Sequence, residues 1–468
     1  MKSEILYQDA TALAELIRAR EVSPVEVVQA HLDRIESVNP KVNAIVTVAG
    51  DALTAAKAAE SAVLRGHEIG PLHGVPFTAK DSIDTAQVLT QRGSPVFRGR
   101  IPHTDATSVA RMKKAGGILL GKTNLPEFSY SFESDNLLTG RSNNPWDLER
   151  TPGGSSGGES AAIAAGMSPL GLGTDLGNSL RGPAAQTGIV SLKATHGRVP
   201  MTGIWPRAPR RFWHVGPMAR SVRDLALAFS RLSGPDGLDS FATSTQFDGG
   251  VGDFPDRQLR IGWMVGPGFG PVDPEVVATV KAAAEALANL GCLVESVHIP
   301  ALERDFANDV FDRLHIMEMK PVFAEAAAGR SADELYKTTR RMLSLPDVSI
   351  EDYIEAEQAA ERLRDGYANF FTTYDALVTH VLPIPAHKHG VDTFTIDGQT
   401  VGITALRGAA SPLNLTGLPG VSMRFGTSKD GLPINVQIVG SWQAESTILH
   451  LAAMLESVSS VRHLYPSL

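Results

Sequence analysis

Three side chains in this sequence could together activate an alcohol for attack on a carbonyl: Lys80 in VPFTAKDS, Ser155 in GGSSGG and Ser179 in DLGNSLRGP. A serine hydroxyl is a weak nucleophile and needs a base. No histidine stands in a recognisable sequence relation to Ser179, and a neutral lysine is the other known solution. Lys80 follows the mostly apolar run Val75-Pro76-Phe77-Thr78-Ala79, so burial is expected, and burial disfavours the ammonium form. Lowering a lysine from about 10.4 to about 7 costs roughly 4–5 kcal/mol of folding stability at neutral pH. Asp81 would oppose this if its carboxylate lay beside the amine. Successive residues of an extended chain point to opposite sides, so Asp81 is expected to face away.

The stretch joining the two serines has to bring them together. Residues 158–166 read as a small-residue helix of roughly 13 Å. Residues 168–174 read as a returning strand of roughly 20 Å. These lengths allow both serines to end near one edge of a sheet. The turn Asp175-Leu176-Gly177-Asn178-Ser179 then leaves that strand for a helix that Pro183 starts. Such a turn aims several backbone N–H groups at one point, which suits an oxyanion. Asp175 and Arg181 are read as braces of the turn.

GGSSGG has blander readings. A flexible linker is one, set aside because structured sequence flanks it closely. The Walker phosphate loop fails because no lysine follows the glycines. Gly153 to Gly157 formally fits G-x-S-x-G, but that elbow needs an apolar strand before it, and NNPWDLERTP is not one. His387 and His389 have no acids at metal-ligand spacing and read as a polar loop.

Around this centre the chain alternates helices and strands, which indicates an α/β protein. Ser23-Pro24-Val25-Glu26 is a capping box with proline at the first helical position. Asn39-Pro40 should stop that helix. Strands are expected at 44–48, 118–120, 259–265, 293–297, 376–382 and 434–439, and another entering Lys80. Gly121 to Asn124 should turn out of its strand. Helices are expected at 51–64, 108–115, 273–290 and 445–456, and one capped by Ser221. Residues 234–257 read as a long loop, and 302–370 as mostly helical.

With 468 residues, 43% hydrophobic and 20% charged, the composition is that of an ordinary globular protein. A net charge of -8 argues against a nucleic-acid partner. Cys292 is the single cysteine, which excludes an internal disulfide and a thiolate metal cluster. No apolar run approaches the roughly 18 residues of a membrane span. The N-terminus MKSEILYQDA does not read as a signal peptide, and a cytoplasmic protein is the default expectation.

The segment 153–184 resembles the defining signature of the amidase signature family, and Lys80-Asp81 resembles its catalytic lysine motif. The likeness continues through GKTNLPEF from Gly121, NNPWD from Asn143, YDALVT from Tyr374, NLTGLPG from Asn414 and GLPINVQIVG from Gly431. It implies one large domain over 1–468, a mixed, mostly parallel twisted sheet covered by helices on both faces. The catalytic core would span about 70–225, with helical and strand additions at about 235–370. Ser179 would be the nucleophile, Ser155 the bridging serine after a cis peptide bond from Gly154, and Lys80 the base. Oxyanion donors would be the backbone of Leu176, Gly177, Asn178 and Ser179.

Asn178 stands where the family usually has glycine. The segment WPRAPRRFW from Trp205 to Trp213 is also unlike the family, and a lid over the substrate and a solvated basic loop are both open. Candidate substrate contacts are Glu127, Phe128, Ser129, Tyr130, Ser131, Trp205 and Arg207. The resemblance implies hydrolysis of a small-molecule amide, ester or carbamate, urethanes included, through an acyl-enzyme. It calls for no metal and no cofactor, and leaves a homodimer open. The alternatives are the glutaminase subunit of a tRNA-dependent amidotransferase and, from another class, a binding protein that keeps the fold without chemistry.

Overall fold

The computed structural model describes residues 2–245, 247 and 257–468. Its strands in chain order are β1 (Ile45–Val48), β2 (Pro76–Lys80), β3 (Ile118–Thr123), β4 (Leu170–Asp175), β5 (Val190–Lys193), β6 (His214–Ala219), β7 (Arg260–Trp263), β8 (Leu293–Ser296), β9 (Ala376–His380), β10 (Thr393–Ile396), β11 (Gln399–Gly402), β12 (Gly420–Thr427) and β13 (Pro433–Gly440). All but the β10–β11 hairpin join one eleven-stranded sheet, in the order β1-β3-β2-β4-β6-β5-β12-β13-β9-β7-β8. The fold is α/β, a single unit built on this mixed sheet. Parallel pairing occupies two blocks, β3-β2-β4 and β9-β7-β8. Between them β6, β5, β12 and β13 pair antiparallel. One continuous core follows the sheet from Phe77 and Leu172 through Val215, Leu192 and Val421 to Leu377 and Ile261.

Every residue of β2, β3 and β4 is buried, as parallel strands covered on both faces require. Their polar residues gather at the C-terminal ends. Lys80 pairs in register with Thr123, and Thr78 with Gly171. Three parallel strands therefore present lysine, threonine and aspartate at the same sheet edge, where open α/β sheets place their ligands. The helix Gly157–Ala164, buried along its whole length, lies across β2, β3 and β4.

Two expectations from the sequence fail locally. Pro40 does not stop its helix, which runs Pro24–Val42 with the proline inside its last turn. The stop comes from Asn43, in the left-handed conformation. Asn39 acts from within: its Oδ1 accepts the N–H groups of Ala44 (2.8 Å) and Ile45 (2.9 Å). Strand β3 also runs on through Lys122 and Thr123 rather than turning at Gly121, because β1 and β2 both pair with this stretch. The Ser23 capping box is present, with Glu26 as its partner. The helix after Ser221 is Val222–Leu232. Strands β7 and β8 are parallel across the helix Pro274–Asn289. Of the long loop expected at 234–257, residues 246 and 248–256 lie outside the described residues. No helix among the described residues is long and apolar enough to cross a membrane.

Asn39→Ala removes the acceptor of two backbone N–H groups where the helix Pro24–Val42 hands over to β1. We expect a loss of about 1–3 kcal/mol, read as a lower denaturant midpoint at unchanged m-value.

Candidate active site

Lys80 ends β2 with a fully buried side chain. Its Nζ lies 2.6 Å from Ser155 Oγ and 2.8 Å from Thr174 Oγ1. No carboxylate touches the amine. Burial drives Lys80 well below the usual lysine range, against the more distant pull of Asp175 and Glu159. Asp81 faces away: its Oδ2 accepts the Gln91 N–H at 2.9 Å. Burial lifts Asp81 to about 6, opposed first by the charge of Lys122.

The Gly-rich stretch is packed rather than flexible, for residues 151–178 are all buried. The Gly154–Ser155 peptide is cis. A Cβ on Gly154 would stand 2.4 Å from Ser131 O, so only glycine lets this strand of chain pass beneath residues 131–133. Ser134 Oγ donates to Gly153 O and accepts from Gly157 N, both at 3.0 Å. On the other side, Ser156 N donates to Ser179 O at 3.2 Å, and Ser156 Oγ donates to Thr174 O, also at 3.2 Å. The two serine segments are thus tied through the residue between them.

The turn that carries Ser179 is braced from below. Arg181 and Asp175, both fully buried, pair at 3.0 Å. Asp175 Oδ2 also accepts the Leu180 N–H at 3.0 Å, and Asn414 Nδ2 donates to Asp175 Oδ1 at 2.9 Å. Arg181 donates further to Ala410 O, Gln437 Oε1 and Asn414 Oδ1. Burial alone would raise the Asp175 carboxyl, but Arg181, Asn414 and the Leu180 N–H hold it well below the carboxylate range. Asn178 donates from Nδ2 to Leu406 O at 3.3 Å. Its amide lies over Gly182, where a Cβ would come within 2.3 Å of Nδ2.

A cavity of about 470 Å³ opens over this turn. Gly154, Leu176, Gly177, Asn178 and Ser179 line it. Lys80 and Ser155 do not, and both are fully buried, whereas Ser179 is partly exposed. Ser179 is therefore the member of the three that meets a molecule in the cavity.

Of the other candidates, Ser129, Tyr130 and Ser131 line the cavity, and Glu127, Phe128, Trp205 and Arg207 do not. Glu127 is buried, accepting from Ser94 Oγ at 2.7 Å and Tyr336 N at 2.8 Å. Phe128 and Trp205 pack on each other, their ring centroids 4.9 Å apart, and both lie against Phe323. Arg207 is exposed. No residue of the arginine-rich segment lines this cavity, and two of its three arginines are paired. Arg210 pairs with Asp239, and Arg211 with Glu318 and Glu357.

Sequence reasoning missed Thr174 and the far wall, which includes Phe311, His315, Met342 and Arg407. Thr174 stands one residue before the signature aspartate. The wall residues come from helices and loops 130 residues or more beyond the turn, with no local pattern to mark them. Glu133, remote from them in sequence, lies 3.6 Å from His387 and 3.9 Å from His389. Even so, no group of three or more His, Cys, Asp or Glu among the described residues is arranged to hold a metal.

Asp175→Ala leaves the Arg181 guanidinium buried without its carboxylate. We expect a loss of about 3–5 kcal/mol, measured by denaturant unfolding.

The geometry has counterparts among known proteins. A family model described as Amidase matches residues 26–449. A glutamyl-tRNA(Gln) amidotransferase subunit of Symbiobacterium thermophilum is 36% identical over 98% of this chain and 98% of its own. The structure of a 6-aminohexanoate cyclic dimer hydrolase complexed with substrate superposes with a TM-score of 0.88 at 28% identity, covering 99% of both chains. That of a glutamyl-tRNA(Gln) amidotransferase subunit from Thermotoga maritima gives 0.78 at 26% identity, over 97% of this chain and 96% of the other. The family match spans nearly the whole chain and contains Lys80, Ser155 and Ser179, so this chain belongs to the amidase signature family, whose enzymes hydrolyse the C–N bond of amides.

Proposed function

We propose that the chain hydrolyses a carboxylic amide by acyl transfer to Ser179. The observation that carries this reading is the buried Lys80 amine, 2.6 Å from Ser155 Oγ with no carboxylate against it. Burial favours the free amine, and a free amine is a base. Ser179 Oγ attacks the carbonyl carbon while its proton passes to Ser155 Oγ, and the Ser155 proton passes to Lys80 Nζ. The backbone N–H groups of residues 176–179 receive the oxyanion. Each such donor typically contributes about 3 kcal/mol to lowering the barrier. Collapse expels the amine, which takes a proton back along the same relay. Water then attacks the acyl-enzyme with the relay running as before, and the acid leaves. Esters and carbamates offer the same carbonyl. These residues complete every step without a metal or an organic cofactor.

A second reading has its own support. The amidotransferase relatives match along the full chain at higher identity than the hydrolase structure does, which favours release of ammonia from glutamine inside a larger complex. The structural likeness runs the other way, with 0.88 for the hydrolase against 0.78 for the amidotransferase protein. The cavity wall is also largely apolar and aromatic. Of its three acids, Asp312 is taken up by Arg407, Glu133 lies between two histidines, and Asp392 is exposed. A free glutamine must place an ammonium and a carboxylate together, and two of these three acids are already engaged. We therefore place a neutral amide first.

Ser179→Ala should lower kcat by about 10⁴-fold or more with the fold intact, and turnover at the original rate would end the proposal. Assay of the lone purified chain separates the two readings. We expect release of aniline from aryl amides and little ammonia from glutamine, and the opposite pattern would establish the glutaminase.

A further inference from the structure

Behind the relay lies a carboxylate that these steps do not use. Glu159 stands one helical turn beyond Ser155, inside the buried helix Gly157–Ala164. Its side chain is fully buried. Thr78 Oγ1 donates to its Oε1, and Thr123 Oγ1 donates to its Oε2 at 2.8 Å. Thr78 and Lys80 are two apart on β2 and so share a face, and Thr123 is the register partner of Lys80 on β3. The third wall is β4, where a Cβ on Gly171 would fall 1.7 Å from Glu159 Oε1. Three parallel strands thus leave one carboxylate-sized space beside the base, and fill it with two hydroxyl donors but no direct cation.

We propose that Glu159 is a positioning residue for the reaction, acting through Lys80 by setting the pH at which that amine becomes free. The proposal rests on the reading of Lys80 as the base. As an anion, Glu159 favours the Lys80 ammonium, and as an acid it releases the amine to act. Burial lifts Glu159 to about 7, against the Thr78 and Thr123 hydroxyls and then the charges of Lys122 and Lys80. Each of the two charges is felt by the other.

The other charged or titratable groups on elements packed against this helix are Lys122 on β3, Asp175 on β4, His214 on β6 and Arg181 on the following helix. Asp175 and Arg181 are taken up by each other. His214 Nε2 lies 3.2 Å from Lys193 Nζ. Lys122 is held by Thr85 Oγ1 at 2.8 Å and Ile83 O. That leaves Lys80 and Glu159 as the pair whose hydrogen bonds are to uncharged hydroxyls alone.

The test is the pH dependence of kcat/KM on an aryl amide, for the full chain and for Glu159→Gln. Glutamine keeps the shape and loses the charge. Without the anion the Lys80 ammonium is easier to deprotonate, so the acid limb should move to lower pH by about one unit, with the alkaline plateau kept within about threefold. Thr123→Val removes one donor from the carboxylate, makes the anion less stable, and should move the limb the same way by a smaller step. This variant serves if Glu159→Gln does not fold. A fall of the plateau with the limb unmoved would mean a packing role and would overturn the proposal, as would an unchanged profile. If Ser179→Ala kept its turnover, the proposed function itself would fail. A dead Ser179→Ala beside an unmoved limb would fail only this inference.

Discussion

An amine without a counter-ion in contact is the constraint on which the structure turns. Taking Lys80 out of water while denying it a carboxylate neighbour favours the uncharged form. Two hydroxyls, those of Ser155 and Thr174, are its hydrogen-bond partners. Each is supplied by a different part of the chain, and each needs a buried, well-filled environment to stay at hydrogen-bonding distance. The fully buried strands β2, β3 and β4 supply that environment. An exposed lysine at the same position would remain an ammonium at neutral pH and would accept no proton.

Charge is sorted around this amine by distance. The strongly paired ions, Asp175 and Arg181, lie under the turn that carries Ser179 and bind the start of the helix Ser411–Thr416 and strand β13 to it. Their attraction shapes the backbone without engaging the Ser179 hydroxyl. Asp81, adjacent in sequence to Lys80, is turned to the other side of β2 and takes a backbone N–H. A sequence neighbour is thus kept away from the amine, while Glu159, one helical turn past Ser155, is held by Thr78 on the face of β2 that carries Lys80. Two threonine hydroxyls, rather than a cation, are the hydrogen-bond partners of that second carboxylate.

Much of the candidate site was legible in the residues. Glycines and serines at 153–157, an apolar lead into Lys80, and a turn after β4 restrict what chemistry is open. The alternation of Lys80 and Asp81 on an extended strand follows from backbone geometry alone. The stop at Asn43 rather than Pro40 was not legible, because a proline in a last turn leaves only one carbonyl without its donor, and the end of the helix is set by the left-handed Asn43 and by Asn39 accepting the Ala44 and Ile45 N–H groups beyond it. The substrate wall was not legible either. Phe311, His315, Met342 and Arg407 belong to amphipathic helices and loops in which cavity-facing and core-facing positions share one periodicity. The arginines of the Trp205–Trp213 segment looked available for a ligand, and their acids, Asp239, Glu318 and Glu357, lie far along the chain.

By itself the sequence determined the types of Lys80, Ser155 and Ser179, their spacing and the family, because these depend on local order: which residue follows which glycine, and on which side of a strand it falls. Tertiary structure decided how completely Lys80 is dried, that Ser179 rather than Ser155 faces the cavity, and that Glu159 is held between Thr78 and Thr123. Those properties depend on which distant segments exclude water from a point in space. Dielectric surroundings and long-range contacts are set by the packed fold and leave no mark on the residues next to them in the chain.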